Sequence, residues 1–306
     1  MRIVFAGTPD VAVPSLDRLV LAGFTVVGVL TRPDARVGRK RAITPSAVAA
    51  RAEELGIPVL KAARITPEVV ARLQEWTPEA AAIVAYGGIV PPAALAIPRH
   101  GWINLHFSLL PAWRGAAPLQ YSVIHGDDVV GASTFRLEEG LDTGPVFGTV
   151  ALTPGPEATS GQLLAQLADA GAELLAQTLT GVAEGRLEPR PQAGEPTFAP
   201  KLTLEDGRLD WSLPAVALHR RARGVTPEPG AWTMLGADRF KLEPPRLRPD
   251  IEGIEPGHLA WADKSLVVGT GTHALELTRV QPAGKKMMAA ADWARGAGNI
   301  EGTVLG

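Results

Sequence analysis

The chain has 306 residues, with 30 lysines and arginines against 32 aspartates and glutamates, and no cysteine. That length allows two domains with full cores, and the missing cysteines exclude disulfides, thiolate metal sites and cysteine nucleophiles while fitting a reducing, cytoplasmic compartment. A net charge of −2 gives no overall pull on nucleic acid or anionic lipid, and no apolar run reaches the ~18 residues of a membrane span.

From Met1 the chain enters a strand at once, which reads as neither a signal nor a transit peptide. Short β-branched runs predict strands over 2–6, 25–31, 80–86, 102–107, 132–137 and 146–152. Helical stretches are expected near 11–22, 45–56 and 67–76, each with proline at or near its first turn, where proline costs little. Strands alternating with helices read as βαβ units on a mainly parallel sheet. A longer amphipathic helix follows over 159–182. Residues 185–200 carry four prolines and two glycines and read as a linker. Beyond it, short strands at 232–235, 240–242, 258–261, 265–268 and 275–278 suggest a small β-barrel or sandwich. Residues 1–200 hold 16 basic and 19 acidic groups, and residues 201–306 hold 14 and 13, so the second part is faintly basic.

Three stretches carry chemistry. In the strand at 102–107, Ile103, Leu105 and Phe107 face one way and Asn104, His106 and Ser108 the other. A central parallel strand should be apolar on both faces, so polar groups at its C-terminal end mark either a ligand edge or an exposed edge strand. Asn104 is one of only two asparagines in the chain, the other being Asn299. The second stretch is Gly140-Leu141-Asp142-Thr143-Gly144. An aspartic protease needs a pair of such aspartates, and this chain has one copy, so Asp142 reads either as the organiser of an Asx turn or as a partner for His106. In the third stretch, residues 32–41, five cations meet one acid. Such a run is either a solvated loop or a site for a phosphate-bearing substrate. Ala6-Gly7-Thr8-Pro9-Asp10 lacks the glycines of a dinucleotide fingerprint, and Asp10 reads as a helix cap. The remaining histidines lack metal-ligand spacing, so no metal is expected. No Gly-x-Ser-x-Gly elbow supports acyl-enzyme chemistry.

Taken together, these segments resemble the methionyl-tRNA formyltransferase family, in order and over nearly the whole chain. The resemblance is carried by Phe5-Ala6-Gly7-Thr8-Pro9, the stretch from Arg32 to Ser46, and Ala85-Tyr86-Gly87. Asn104-Leu105-His106-Phe107-Ser108-Leu109-Leu110-Pro111 and Trp113-Arg114-Gly115-Ala116-Ala117-Pro118 continue it, with Gly140 to Gly144 after them. In the second part it rests on Ala199-Pro200-Lys201-Leu202, Arg208-Leu209-Asp210-Trp211-Ser212 and Gln281-Pro282-Ala283-Gly284-Lys285-Lys286. The Asn-x-His and Leu-Asp-Thr-Gly pair is common to folate-dependent formyltransferases and formyltetrahydrofolate hydrolases. The Trp-Arg-Gly-Ala-Ala-Pro and Gln-Pro-Ala-Gly-Lys-Lys segments narrow it to the tRNA enzymes. Phe107 and Glu228 depart from the family pattern, which usually has a small residue or proline at the first and often tryptophan at the second.

The resemblance implies an α/β fold. Its N-terminal catalytic domain (1–184) is a Rossmann-like, mainly parallel sheet of formyltransferase type, followed by a linker (185–203) and a smaller OB-like β-barrel (204–306) that binds tRNA. It implies formyl transfer from 10-formyltetrahydrofolate, as co-substrate, to methionine on initiator tRNA, in support of translation initiation. Asn104, His106 and Asp142 would be catalytic, with Asn104 donating to the oxyanion, His106 shuttling the proton and Asp142 orienting His106 and raising its pKa. Folate contacts fall on the Ser108, Leu109, Leu110 and Pro111 turn, whose backbone would bond the pterin. tRNA contacts fall on Arg39, Lys40, Arg41, Lys285 and Lys286. No metal, membrane or obligate protein partner is implied. A formyltransferase acting on a small amine, a formyltetrahydrofolate hydrolase and a catalytically silent RNA- or folate-binding module remain as alternatives.

Overall fold

A computed structural model of the chain describes residues 1–37, 42–298, 300 and 302–306. Two compact units emerge: Met1–Pro118, Val129–Thr153 and Leu164–Ala199 form unit 1, and Leu119–Asp128, Pro154–Leu163 and Pro200–Gly306 form unit 2. The division is therefore not a single cut. The segment read as a linker belongs, up to Ala199, to unit 1.

Unit 1 begins with β1 (Arg2–Gly7), α1 (Val13–Leu21) and β2 (Thr25–Thr31), followed by a ribbon of β3 (Ala35–Val37) and β4 (Ala42–Thr44). It continues through α2 (Ala47–Glu54), β5 (Val59–Lys61), α3 (Pro67–Glu75), β6 (Ala80–Val84), α4 (Pro92–Leu95), β7 (Trp102–His106) and β8 (Arg114–Gly115). After α5 (Pro118–His125), which from Leu119 belongs to unit 2, come β9 (Val130–Arg136), β10 (Val146–Leu152), α6 (Ser160–Ala183), which belongs to unit 1 from Leu164, and β11 (Phe198–Ala199). Seven strands make one sheet in the order β10-β9-β7-β6-β1-β2-β5. The five from β7 to β5 are parallel, while β9 runs antiparallel to β7 and β10 antiparallel to β9. The chain builds outward from β1 through β2 to β5, then returns to β6 on the other side of β1. The strand order reverses there, and ligands of open α/β sheets bind at such a point, beyond the carboxyl ends of the strands.

Both faces of the sheet are covered. On one, Val4, Ala6, Ala81, Ile83 and Trp102 pack under α3 and α4, and the Trp102 indole N–H donates to Ala94 O at 2.8 Å. On the other, α6 lies so close that a Cβ on Gly171 would stand 2.9 Å from Leu105 Cδ2. Thr178 of α6 shares a buried 2.8 Å hydroxyl contact with Thr134 of β9. Ser46 caps α2 by accepting from Ala49 N–H at 3.0 Å. Asp10 is not the expected cap: a single 3₁₀ turn, Asp10–Ala12, intervenes before α1, and Pro9 stands at its cap position.

In unit 2, α7 (Ala215–Gly224) precedes eight strands: β12 (Ala231–Leu235), β13 (Asp238–Leu242), β14 (Arg246–Arg248), β15 (Leu259–Ala262), β16 (Ser265–Val268), β17 (Ala274–Glu276), β18 (Arg279–Gln281) and β19 (Met288–Ala289). The helix α8 (Ala290–Ala297) follows. The strands form two antiparallel sheets, β12-β13-β18-β19 and β14-β17-β16-β15. Near the end of the chain, Leu305 bridges to Leu235 and Val304 to His258, which ties one edge of each sheet to the same segment. One core of Trp211, Leu218, Phe240, Leu266, Leu275 and Val280 lies within the unit. Among the described residues no helix is long and apolar enough to cross a membrane.

The close seat of α3 on β2 yields a stability test. A Cβ at Gly28 would come within 2.5 Å of the Trp76 ring, and the indole is held in the core. Gly28→Val should destabilise unit 1 by about 1–3 kcal/mol through overpacking. A denaturant midpoint equal to that of the wild type would contradict this packing.

Candidate active site

Three strand ends meet at the switch point. The Thr8 hydroxyl, just past β1, donates to Tyr86 O beyond β6 at 2.9 Å and accepts from Arg32 N–H beyond β2 at 3.3 Å. Beside them β7 reaches the same edge, with Asn104 level with Ile83 of β6 and with Phe135 of β9. Along one face of β7 the side chains pass from Trp102, buried under α4, to Asn104 and then His106. The apolar face of the sheet thus becomes polar within two steps.

His106 is 6% exposed and Asp142 9%. The chain turns sharply after β7, and Trp113, at φ 59°, brings its carbonyl to His106 Nε2 at 3.0 Å. A carbonyl only accepts, so Nε2 carries the hydrogen and the neutral ring leaves Nδ1 bare. Nδ1 stands 3.8 Å from Asp142 Oδ2, too far for a hydrogen bond. The same oxygen accepts from Gly115 N–H at 2.8 Å. Asp142 has φ 50°, a backbone region that side chains occupy only when their surroundings impose it. The Phe135 ring meets His106 edge-on with centroids 6.2 Å apart. Asn104 is half-buried.

Burial pushes the His106 pKa below its ordinary value, while Asp142 and the Trp113 carbonyl push it upward by less. Asp142 thus acts in the expected direction, although the net shift of His106 is downward. Taking the imidazolium out of water costs more than the carboxylate offsets.

Two family models match the chain, Formyl transferase over residues 1–179 and Formyl transferase, C-terminal domain, over residues 201–298. It is 66% identical over 305 residues to the methionyl-tRNA formyltransferase of Pseudarthrobacter chlorophenolicus, and 65% identical over 305 residues to that of Paenarthrobacter aurescens. Each match covers 100% of both chains. The chain belongs to the methionyl-tRNA formyltransferase family. Its fold is also similar to an N-formyltransferase from Helicobacter canadensis, solved on complex with folinic acid and dTDP-3-aminofucose. That likeness has a TM-score of 0.69 at 15% identity and covers 92% of this chain and 98% of the other.

As a member of this family the chain brings Asn104, His106 and Asp142 to one edge of unit 1, while the other expected positions are more scattered. In the Ser108–Pro111 turn, Leu110 N–H is already taken by Ser133 Oγ at 3.1 Å, and Ser133 Oγ donates to Ser108 O at 2.7 Å. Ser108 Oγ donates to Ala112 O at 2.5 Å. That turn is therefore braced by its own Ser108 and by Ser133 of β9, and its Leu110 donor is not free for a pterin. Phe107, the departure from the family pattern, is buried beside it. Of the cationic stretch, Arg32 donates to Ala63 O at 2.5 Å, and Asp34 pairs with Lys61 at 2.8 Å. Arg39, Lys40 and Arg41 lie outside the described residues. Lys285 and Lys286 are exposed, in the segment between β18 and β19 of unit 2. Among the described residues no group of three His, Asp or Glu could hold a metal ion.

Sequence reading missed the Trp113 carbonyl, the Gly115 N–H and Gln192. The Gln192 amide donates to Asp142 O at 2.7 Å and Gly144 O at 2.8 Å. Gln192 is distant in sequence and sits in a proline-rich stretch, where composition carries no sign of a site.

A second buried histidine, His219 of unit 2, is likewise held below its ordinary pKa, chiefly by burial. The sign for stability follows from proton counting. Between the lowered native values and the ordinary 6.5, the unfolded chain binds more protons than the native one. Stability is then fully present above pH 6.5 and falls as the pH drops through the native values. Chemical denaturation between pH 8 and 5 should show this loss, and His219→Phe should reduce its slope. An unchanged slope in that variant would remove His219 from the account.

Proposed function

We propose that the chain transfers the formyl group of 10-formyltetrahydrofolate to the α-amine of methionine carried by initiator tRNA, supplying formylated initiator for translation. The full-length identity to curated methionyl-tRNA formyltransferases supports the acceptor. One observation carries the chemistry: a buried imidazole with one nitrogen fixed by Trp113 O and the other bare before a carboxylate, on the same strand face as an asparagine amide.

The donor supplies an activated one-carbon acyl group, so no covalent enzyme intermediate is required. Negative charge grows on the formyl oxygen as the amine attacks. Asn104, two residues from His106 on the same face, offers its amide N–H to that oxygen. The attacking amine must shed a proton, and His106 Nδ1 accepts it because Nε2–H is committed to Trp113 O. Asp142, 3.8 Å away, favours the imidazolium that results. The same nitrogen then returns the proton to the leaving amine of the donor. Neutral imidazole, favoured by burial, keeps the base ready at physiological pH.

The residues around the site suit an aromatic donor. Ile89, 87% exposed on the loop after β6, and Leu141, 60% exposed just before Asp142, offer apolar surface. The folinic acid in the structure of the Helicobacter canadensis N-formyltransferase supports a folate donor. For the acceptor, Arg39, Lys40 and Arg41 in unit 1 and Lys285 and Lys286 in unit 2 are assigned to tRNA phosphates. Residues 204–306 are taken as the tRNA-binding domain.

Transfer of radiolabelled formyl from 10-formyltetrahydrofolate should favour methionyl-initiator tRNA over elongator tRNA, amino sugars and water. Preference for an amino sugar would replace the acceptor, and preference for water would make the chain a hydrolase. Within this assay, Asn104→Ala should lower kcat by ~10²–10³ and His106→Ala by ~10²–10⁴, with folding retained. Wild-type kcat in either folded variant would refute that residue's role. Arg39→Ala should raise KM for tRNA and leave folate binding unchanged. Binding of tRNA should also weaken steeply with salt, and a flat response would remove the phosphate contacts.

A further inference from the structure

We propose that Gln192 is a positioning residue for formyl transfer: its amide latches the backbone of Asp142 and Gly144 to Arg114 and so sets where the Asp142 carboxylate stands relative to His106. The amide gives both N–H groups to carbonyls, at 2.7 Å to Asp142 O and 2.8 Å to Gly144 O. Its oxygen accepts from Arg114 Nη2 at 2.7 Å and Nε at 3.2 Å. Carbonyls only accept and a guanidinium only donates, so this network admits one orientation of the amide. Every hydrogen-bonding position of the side chain is used.

The latch is anchored at both ends. Arg114 and Gly115 form β8, which pairs in parallel with Phe198 and Ala199 of β11. Arg114 N–H donates to Thr197 O at 2.8 Å and Ala116 N–H to Ala199 O at 2.8 Å. A Cβ on Gly115 would stand 2.6 Å from Ala199 O, so only glycine lets the segments approach this closely. Upstream, Arg190 and Val146 exchange two backbone hydrogen bonds of 2.8 Å. Residues 190–199 are thus a strap across the Asp142 loop, bonded on either side of Gln192. β8 reaches Asp142 twice, through Gly115 N–H at the carboxylate and through Arg114 and Gln192 at the backbone.

Position matters here because the carboxylate must stay near Nδ1 without bonding to it. The groups packed around His106 are Trp113 O from the turn, the Phe135 ring from β9 and Asp142 from the loop after β9. Of these only Asp142 ionises. Without the latch, two carbonyls lose their donors and the left-handed backbone of Asp142 can relax, carrying the carboxylate away from the imidazole.

The inference rests on the formyl-transfer reading, so wild-type transfer to methionyl-tRNA is measured first, and its absence overturns both. Gln192→Glu keeps the size and the Arg114 contact but sets an oxygen where the two carbonyls need a donor. Gln192→Ala removes both ends, and Arg114→Ala removes the anchor. In each, kcat should fall roughly 10- to 100-fold while KM for folate and for tRNA changes by less than about 3-fold. The acid limb of kcat should also move to lower pH, since a displaced Asp142 no longer favours imidazolium. Should Gln192→Ala fail to fold by circular dichroism, Gln192→Glu and Arg114→Ala read the same limb. If transfer is normal in the wild type while these variants keep kcat, or lose it with the limb unmoved, the latch is refuted and the transfer reading stands.

Discussion

The site depends on a single hydrogen bond, from His106 Nε2–H to the Trp113 carbonyl. A buried imidazole has two nitrogens of opposite character, and its environment must choose between them. Trp113 makes that choice by accepting, which obliges Nδ1 to be the basic nitrogen. The turn between β7 and β8 then acquires a purpose. Ser108 within the turn and Ser133 of β9 brace its first half, and Thr197 Oγ1 accepts from Trp113 N–H at 2.8 Å in its second half. The turn therefore holds one carbonyl in place more firmly than it offers groups to a ligand.

The sheet supplies the rest by contradiction. Its strands are apolar where α3, α4 and α6 cover them, and β7 obeys that rule at Trp102, Ile103 and Leu105. Asn104 and His106 break it at the carboxyl end, beside the switch point. Burying an imidazole there lowers its affinity for a proton and so costs stability in acid. That loss is tolerable because the neighbouring strands bury a large apolar core, to which β1 and β6 contribute Phe5, Ala82 and Val84. A local rule broken within an otherwise consistent element is the usual mark of function.

Alternation singled out Asn104 and His106 but left an exposed edge strand open, which the place of β7 between β9 and β6 excludes. Asp142 could not be separated from an ordinary turn on its residues, and the resemblance supplied its role. The other parts of the site are backbone groups or distant partners. The Trp113 carbonyl and Gly115 N–H have no side-chain identity to read, and Gln192 lies 50 residues from Asp142 in a segment whose prolines suggested only a connection. The six principal strands of the first sheet were legible from β-branched runs. The three-residue β5 was too short, and the β3–β4 ribbon was hidden among charges because pairing, not burial, holds it. Helix α7, with His219, Arg220, Arg221 and Arg223 in one turn, masked its apolar stripe of Ala215, Leu218 and Ala222.

The two buried histidines show why the spacing at the site is significant. In unit 2, His219 Nε2 meets Glu157 Oε2 at 3.1 Å, a hydrogen bond that commits this nitrogen to its partner. In unit 1, His106 Nδ1 meets Asp142 Oδ2 at 3.8 Å, and the carboxylate spends its bond on Gly115 N–H instead. Both carboxylates favour the charged ring, and in both sites burial opposes them more strongly. The difference is occupancy. His219 uses its nitrogen for structure, whereas His106 keeps one nitrogen bare, with a negative charge close enough to steady a proton once it arrives. In the proposed mechanism, a carboxylate that moved closer would tie up the base, and one that moved away would leave the imidazolium unsupported. The loop carrying Asp142 must therefore be held at a distance as well as held near, which a backbone latch can do and a direct side-chain bond to the ring cannot.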